Sequence, residues 1–350
     1  MLLHFFALLC CCYSCSRVTR ADYSLSLAHT ALNYSRAAYC LKEAIQEWTC
    51  ETCAYLTLSE RHVFHNETEG TRAFVGVSND HVVVTFRGSK NIPNWIDNIN
   101  FLHCPYVREG CSECNVHRGF YNAYMSLRDQ VFTAVQELIE KHQGRSLLVT
   151  GHSLGGALAL FTAIDLALFF GGGARPHGTK IFLYTFGKPR VGNSAFVSWV
   201  HSVFRANGHE SYRITHKADI VPHLPPRSLF FKHVPHELWY PHSSDQILKN
   251  CTDLVEVSAS SLGVFRRHRV SSVKEDGQCS NSIRVPSIAD HLNYLGSCTS
   301  CSCHAASKLP VFHKFSEKTL KLIQEDHAYT DEEDVGKKRT SKLGILNVGN

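Results

Sequence analysis

Charge is scarce in this sequence and nearly balanced. Asp, Glu, Lys and Arg make up 19% of its 350 residues, and 36 basic against 31 acidic side chains leave a formal charge of +5. Spread over that length, the excess is too dilute to mark nucleic acid as a partner. No internal repeat is visible, so we read one principal domain with short appendages. No hydrophobic stretch closes the chain, and neither a membrane anchor nor a lipid-anchor signal is expected there.

Apolar residues, by contrast, reach 44%, enough to fill one large core. Met1–Cys15 (MLLHFFALLCCCYSC) is an apolar run too short to cross a bilayer, and polarity returns at Ser16. It reads as a secretory signal over 1–21, with His4 but no Lys or Arg at its start and cleavage between Ser16 and Ala21. Four of the fifteen Cys lie inside it, leaving eleven. So many in an exported chain imply disulfides, and the odd number implies a free thiol or an intermolecular bond. Sequons at Asn33, Asn66 and Asn250 fit glycosylation on the same route, so a secreted, extracellular glycoprotein is expected.

Short β-branched or apolar runs at His81–Phe86, Ser146–Thr150, Lys180–Phe186 and Tyr212–His216 read as buried strands. Between them, Tyr121–His142 carries apolar residues at helical spacing, Gly155–Phe169 is apolar nearly all round, and Ala195–Phe204 is helix-like. Strand and helix alternating in this way predict a mostly parallel central sheet with helices on both faces. From His304 the character changes. Pro310–Asp326 has the makings of a short helix, but Asp331–Lys342 mixes charges without an apolar face, and 304–350 reads as a polar, solvated tail.

The motif that carries chemistry is Gly151-His-Ser-Leu-Gly155, at the junction of the strand Ser146–Thr150 and the helix from Gly155. A sharp strand-to-helix turn lifts the Ser153 hydroxyl clear of the sheet, and small flanking residues avoid collisions there. The same turn sets Ser153 at a helix N-terminus, where free N–H groups favour negative charge, and aims the Leu154 N–H at a developing oxyanion. Serine is a poor nucleophile alone, so an acid and a base should follow in the α/β-hydrolase order Ser, Asp or Glu, His. Asp219, just past the strand Tyr212–His216, suits the acid. For the base, His291 competes with His223, His233, His236 and His242, and composition does not choose among them.

Several segments together resemble the class 3 lipases, the family of filamentous-fungal triacylglycerol lipases. They are TFRGSKNIPNWIDNINF (85–101), VHRGFYNAY (116–124), VTGHSLGGALA (149–159), YTFGKPRVGN (184–193), YRITHKADIVPHLPP (212–226) and DHLNYLG (290–296), and the likeness spans about Tyr34 to Cys303. The resemblance implies a disulfide-stapled α/β-hydrolase domain over 22–303, with Ser153, Asp219 and His291 as its triad. It implies Ser89 as a second oxyanion donor beside Leu154, through its N–H and hydroxyl. It also implies that Asn91–Phe101 is a lid, and the residues agree: Pro93 suits a first helical turn, and Ile92, Trp95, Ile96 and Ile99 share one face. The resemblance pairs Cys40 with Cys298 and Cys111 with Cys114. Cys50 with Cys53 and Cys251 with Cys279 are further expected pairs, while Cys104, Cys301 and Cys303 stay unassigned.

No cofactor or metal is expected, because the C-x-x-C pairs lie too far apart for a compact zinc module and export favours disulfides. The expected activity is ester hydrolysis on lipid at a lipid–water interface, triacylglycerol first, with Ile220, Val221 and Leu224 lining the acyl groove. A phospholipase or feruloyl-type esterase would share the fold. A catalytically silent lipid-binding protein is the alternative of another kind.

Overall fold

The computed structural model describes residues 23–171, 179–243, 247–259, 268–306 and 315–329. The expected signal at 1–21 and the end of the tail, 330–350, lie outside the described residues. Eight strands form one sheet in chain order: β1 (Ser59–Asn66), β2 (Thr71–Val77), β3 (His81–Phe86), β4 (Ser146–His152), β5 (Ile181–Phe186), β6 (Glu210–His216), β7 (Glu237–Tyr240) and β8 (Lys249–Asn250). The first three pair antiparallel, β3 to β7 run parallel, and β8 returns antiparallel on the far edge. The helices that matter for the site are α1 (Leu25–Ala37), α2 (Ile92–Asn98), α3 (Arg118–Met125), α4 (Arg128–Lys141), α5 (Leu154–Gly171), α6 (Ser194–Ala206), α7 (Ile288–His291) and α8 (Glu317–Ala328).

Side chains on the central strands divide between the two faces with a period of two. Val82, Val84 and Phe86 of β3, with Leu147 and Val149 of β4, pack with α4, α5 and α6. Val83 and Leu148 turn the other way, toward Leu32 and Tyr34 of α1. Helix α5 is long and apolar enough to cross a membrane, yet most of it is buried. Its apolar circumference is accounted for by its position between the sheet and neighbouring helices.

Three expectations change. The single helix read over Tyr121–His142 is two, α3 and α4, broken at Ser126–Leu127. The Ser126 hydroxyl donates to the Ala123 carbonyl (2.7 Å) and meets Thr71 Oγ1 (2.9 Å). Local side-chain bonding of that kind competes with a continuous helical ladder. Cys40 bonds Cys301, not Cys298, and Cys298 bonds Cys303. The three C-terminal candidates lie within six residues, so spacing had no power to separate them. Disulfides Cys50–Cys53, Cys111–Cys114 and Cys251–Cys279 are present, and Cys104 is the free thiol among the described residues.

The third change concerns the tail, which is not solvated throughout. Helix α8 docks on the domain, with Ile323 and Asp326 buried. Asp326 pairs with Arg190 (3.2 Å) and Arg227 (3.4 Å), and accepts from the Arg227 N–H (2.5 Å). Arg190 is itself fully buried and held on its other side by Glu275 (3.0 Å). Burial alone would raise the Asp326 pKa, but Arg190, His223 and Arg227 outweigh it and hold the carboxyl well below the ordinary range.

Buried histidines set a pH limit on the fold. Burial pushes both His117 and His209 down to about 4. The unfolded chain takes up protons at these sites near pH 6.5, whereas the folded chain resists until about pH 4, so unfolding binds protons across that window. Their contribution to stability is therefore full above about pH 6.5 and lost as pH falls toward 4. Urea midpoints measured from pH 8 to 4 should decline through that range, and His117→Phe should flatten the decline.

Candidate active site

Strand β4 ends at His152 and helix α5 begins at Leu154, leaving Ser153 alone in the turn with φ at 60°. That left-handed value is uncommon for a residue with a side chain and marks local strain held by its surroundings. The surroundings are specific. The Ser153 N–H donates to the Phe186 carbonyl at the end of β5 (2.9 Å), and the Ser153 carbonyl accepts from Gly156 (2.9 Å). Gly155 passes so close to β3 that a Cβ there would lie 2.2 Å from the Phe86 carbonyl oxygen. Only glycine lets the helix start this near the sheet.

Asp219 and His291 arrive from opposite directions. Asp219 follows β6 and is pinned by its own turn, where Oδ1 accepts from the Val221 N–H (2.8 Å). His291 closes the short helix α7, which Ser287 caps by accepting from Asp290 N (3.0 Å). The two segments are stitched by Ser287 N donating to the Ala218 carbonyl (2.7 Å). Asp219 Oδ2 then accepts from His291 Nδ1 (2.8 Å) and from the Tyr294 hydroxyl. With its proton on Nδ1, the His291 ring presents a bare Nε2 lone pair. Both His291 Nε2 and Ser153 Oγ are fully buried and have no hydrogen-bond partner among the described residues.

A second histidine, which the sequence reading passed over inside the G-x-S-x-G motif, holds the first in place. His152 Nε2 donates to the His291 carbonyl (2.9 Å), so its Nδ1 accepts from the Tyr39 hydroxyl (2.8 Å). The two imidazole rings lie 4.4 Å apart. Burial, then the neighbouring His291, pushes the His152 pKa well below its ordinary value, so it stays a neutral donor. Gly187 completes the packing, since a Cβ there would meet Asp219 Oδ2 at 2.7 Å and His291 Nδ1 at 2.8 Å.

The remaining candidate histidines go elsewhere. His223 Nδ1 lies 3.7 Å from Asp326, His233 bonds the Pro222 carbonyl (2.8 Å), His236 the Ser211 carbonyl (3.3 Å), and His242 is exposed. Ser89 is half-buried three residues beyond β3, one residue after Gly88, where an added Cβ would lie 3.0 Å from Ser153 Cβ. Leu154 opens α5 and lines a cavity of about 550 Å³ with Trp95, Ile99, Leu102, His117 and Phe120. Ile220, Val221 and Leu224 do not line it; they are buried beneath α2, against Ile92 and Ile96. The cavity-lining His117 and Phe120 sit in the VHRGFYNAY segment, whose helical spacing gave no hint of which face meets the site. Asn91 caps α2 by accepting from Asn94 N (3.1 Å), and Trp95 stacks 6.2 Å from Phe120.

Among the sequon residues, Asn250 is exposed, Asn66 is half-buried at the end of β1, and the Asn33 side chain accepts from Arg36 (2.9 Å). One cluster with metal-ligand chemistry exists among the described residues, Glu237, Cys251 and Cys279, and its two sulfurs are bonded to each other.

The ordered parallel strands, the elbow after β4 and the acid–histidine pair beyond β6 define an α/β-hydrolase. The profile of the family described as lipase (class 3) matches residues 83–229. The chain is 35% identical over 226 residues to a lipase of Rhizomucor miehei, a stretch covering 63% of this chain and 53% of that one. It is 38% identical over 174 residues to a secreted mono- and diacylglycerol lipase of Fusarium solani, covering 49% and 47%. The structure of the Rhizomucor miehei lipase–propeptide complex superimposes with a TM-score of 0.66 at 31% identity, covering 81% of this chain and 85% of that one. A triacylglycerol lipase described as having a serine-protease triad at its catalytic centre gives 0.65 at 31% identity, covering 79% and 96%. The chain belongs to the class 3 lipase family. It spans about half the length of the curated relatives it matches.

The closeness of Gly155 to β3 predicts a sharp cost. Gly155→Ala should lower the unfolding free energy by about 2 kcal/mol or more through overpacking. Gly277→Ala, with open space around its Cβ, should stay within about 0.5 kcal/mol of wild type in the same urea titration.

Proposed function

We propose that this chain is a secreted serine hydrolase that cleaves carboxylic esters of lipids, triacylglycerols first among them. The observation that carries this reading is the Asp219–His291 hydrogen bond, which leaves His291 Nε2 bare in a fold that also strains Ser153 into a strand–helix elbow. In the first half-reaction, His291 Nε2 takes the Ser153 proton as Oγ attacks the ester carbonyl. The Leu154 N–H, with Ser89 through its N–H and hydroxyl, receives the oxyanion. His291 then protonates the departing alcohol, leaving an acyl group on Ser153. Water, deprotonated by His291, releases the fatty acid by the same steps in reverse order.

Residues around the reaction centre support a lipid substrate. The cavity beside Leu154 is walled by Trp95, Ile99, Leu102 and Phe120, which suit an acyl chain. Helix α2 offers an apolar face that would be at home on a lipid surface if it swung outward. Five disulfides and the apolar opening of the sequence support an extracellular setting, and Asn250 is the sequon best exposed for glycosylation. A silent lipid-binding role would give no reason for the hydrogen bonds converging on Asp219 and on the His291 carbonyl.

Hydrolysis of emulsified trioctanoin against monomeric p-nitrophenyl butyrate tests the reading. Wild type should act on both, with the higher rate on the emulsion, and Ser153→Ala should lower either rate by about 10⁴-fold or more. A folded, disulfide-intact protein inactive on both would refute it. Activity on the soluble ester alone would keep the triad and remove the lipid preference.

Tyr294 is assigned a positioning part, as the second donor on the oxygen that orients His291. Tyr294→Phe should reduce kcat about tenfold with KM unchanged, the loss of one hydrogen bond to a charged acceptor. An effect on KM alone would contradict that assignment.

A further inference from the structure

Helix α8 touches the domain along one stripe, at Thr319, Ile323 and Asp326, spaced four and three residues apart. The stripe meets three different partners. At its N-terminal end, Ser316 N (3.4 Å) and Thr319 Oγ1 (3.1 Å) both donate to Asp97 Oδ1, on helix α2. In the middle, Ile323 enters the apolar cluster formed by Ile92 and Ile96 of α2 with Ile220, Val221, Leu224 and Ile288. At the C-terminal end, Asp326 is locked into Arg190 and Arg227 of the domain body.

The two ends differ in strength. Asp326 is fully buried among charged partners, whereas Asp97 is half-buried and its contacts to α8 are hydrogen bonds that water can replace. Opening therefore breaks the contacts with α2 before it breaks the anchor. Meanwhile Ser153 and His291 are both sealed from solvent in this conformation. Substrate reaches them only after something moves, and α2 packs both against the apolar segment that follows Asp219 and against Ile323 of α8.

We propose that the C-terminal helix is an intrachain latch: anchored to the domain through Asp326, it holds helix α2 shut through Thr319 and Ile323. Resting on the lipid-hydrolase reading for its purpose, this assigns the helix a gating role over the same site. A lipid surface then opens the site by drawing the apolar face of α2 away from Ile323, while α8 stays tied to the body.

Hydrogen–deuterium exchange on the full-length protein tests the latch without depending on catalysis. Thr319→Ala and Ile323→Ala both leave Asp326 in place, and Lys321→Ala alters the exposed face of α8 as a control. In the first two, amides of Ile92–Asn98 should exchange faster, about fivefold for the lost hydrogen bond of Thr319, with β4 unchanged. The control should match wild type. Hydrolysis of monomeric p-nitrophenyl butyrate should rise a few-fold in the same two variants. Unchanged protection over Ile92–Asn98 in both variants would overturn the latch, whether or not α8 itself keeps its protection. Faster exchange in α2 with no ester hydrolysed by any variant or by wild type would uphold the latch and refute the hydrolase reading instead.

Discussion

A single strained residue organises this molecule. Ser153 sits at a left-handed backbone angle because β4 must become α5 within one residue, between neighbours on two sides. Phe86 presses on Gly155 from β3, and Phe186 holds the Ser153 N–H from β5. Such strain persists only where the surrounding structure over-determines it. The parallel register of β3, β4 and β5 supplies that determination, and the rest of the fold secures the register.

From the elbow outward, each partner is tied by a bond from a distant stretch of chain. Asp219 is fixed by its own turn, and His291 by α7. Tyr39, at the far N-terminal side, reaches His152, which in turn holds the His291 backbone. The Cys40–Cys301 disulfide joins the residue after Tyr39 to the segment ten residues past His291, closing the two ends of the domain around the same point. Low dielectric strengthens each of these hydrogen bonds, and makes each one costly to leave half-made.

What was legible in the sequence follows from what local patterns encode. β3 and β4 were readable because Val82–Val84 and Leu147–Val149 are buried on both faces, and such strands carry continuous apolar runs. Ser153 was readable from the small residues that its turn demands. The choice of His291 over four rivals was not, since it depends on where α7 lies in space, and there the family resemblance supplied what residue chemistry did not. Cys301 was hidden behind two near neighbours of identical chemistry. A helix over Pro310–Asp326 was legible, but the docking of α8 was the hardest to foresee: its buried stripe holds one apolar residue, Ile323, and an Asp whose partners lie about a hundred residues or more away. A polar anchor of that kind leaves no periodic signal.

The measurement closest to the centre of these conclusions is active-site labelling with a long-chain alkyl phosphonate presented in micelles, read by peptide mass spectrometry. The arrangement of Ser153, His291 and Asp219 predicts one covalent adduct, on the peptide carrying Ser153. It also predicts no adduct in Ser153→Ala and much slower labelling in Asp219→Asn. A folded wild-type protein that takes no label, or takes it on another residue, would contradict the assignment of Ser153 as the nucleophile.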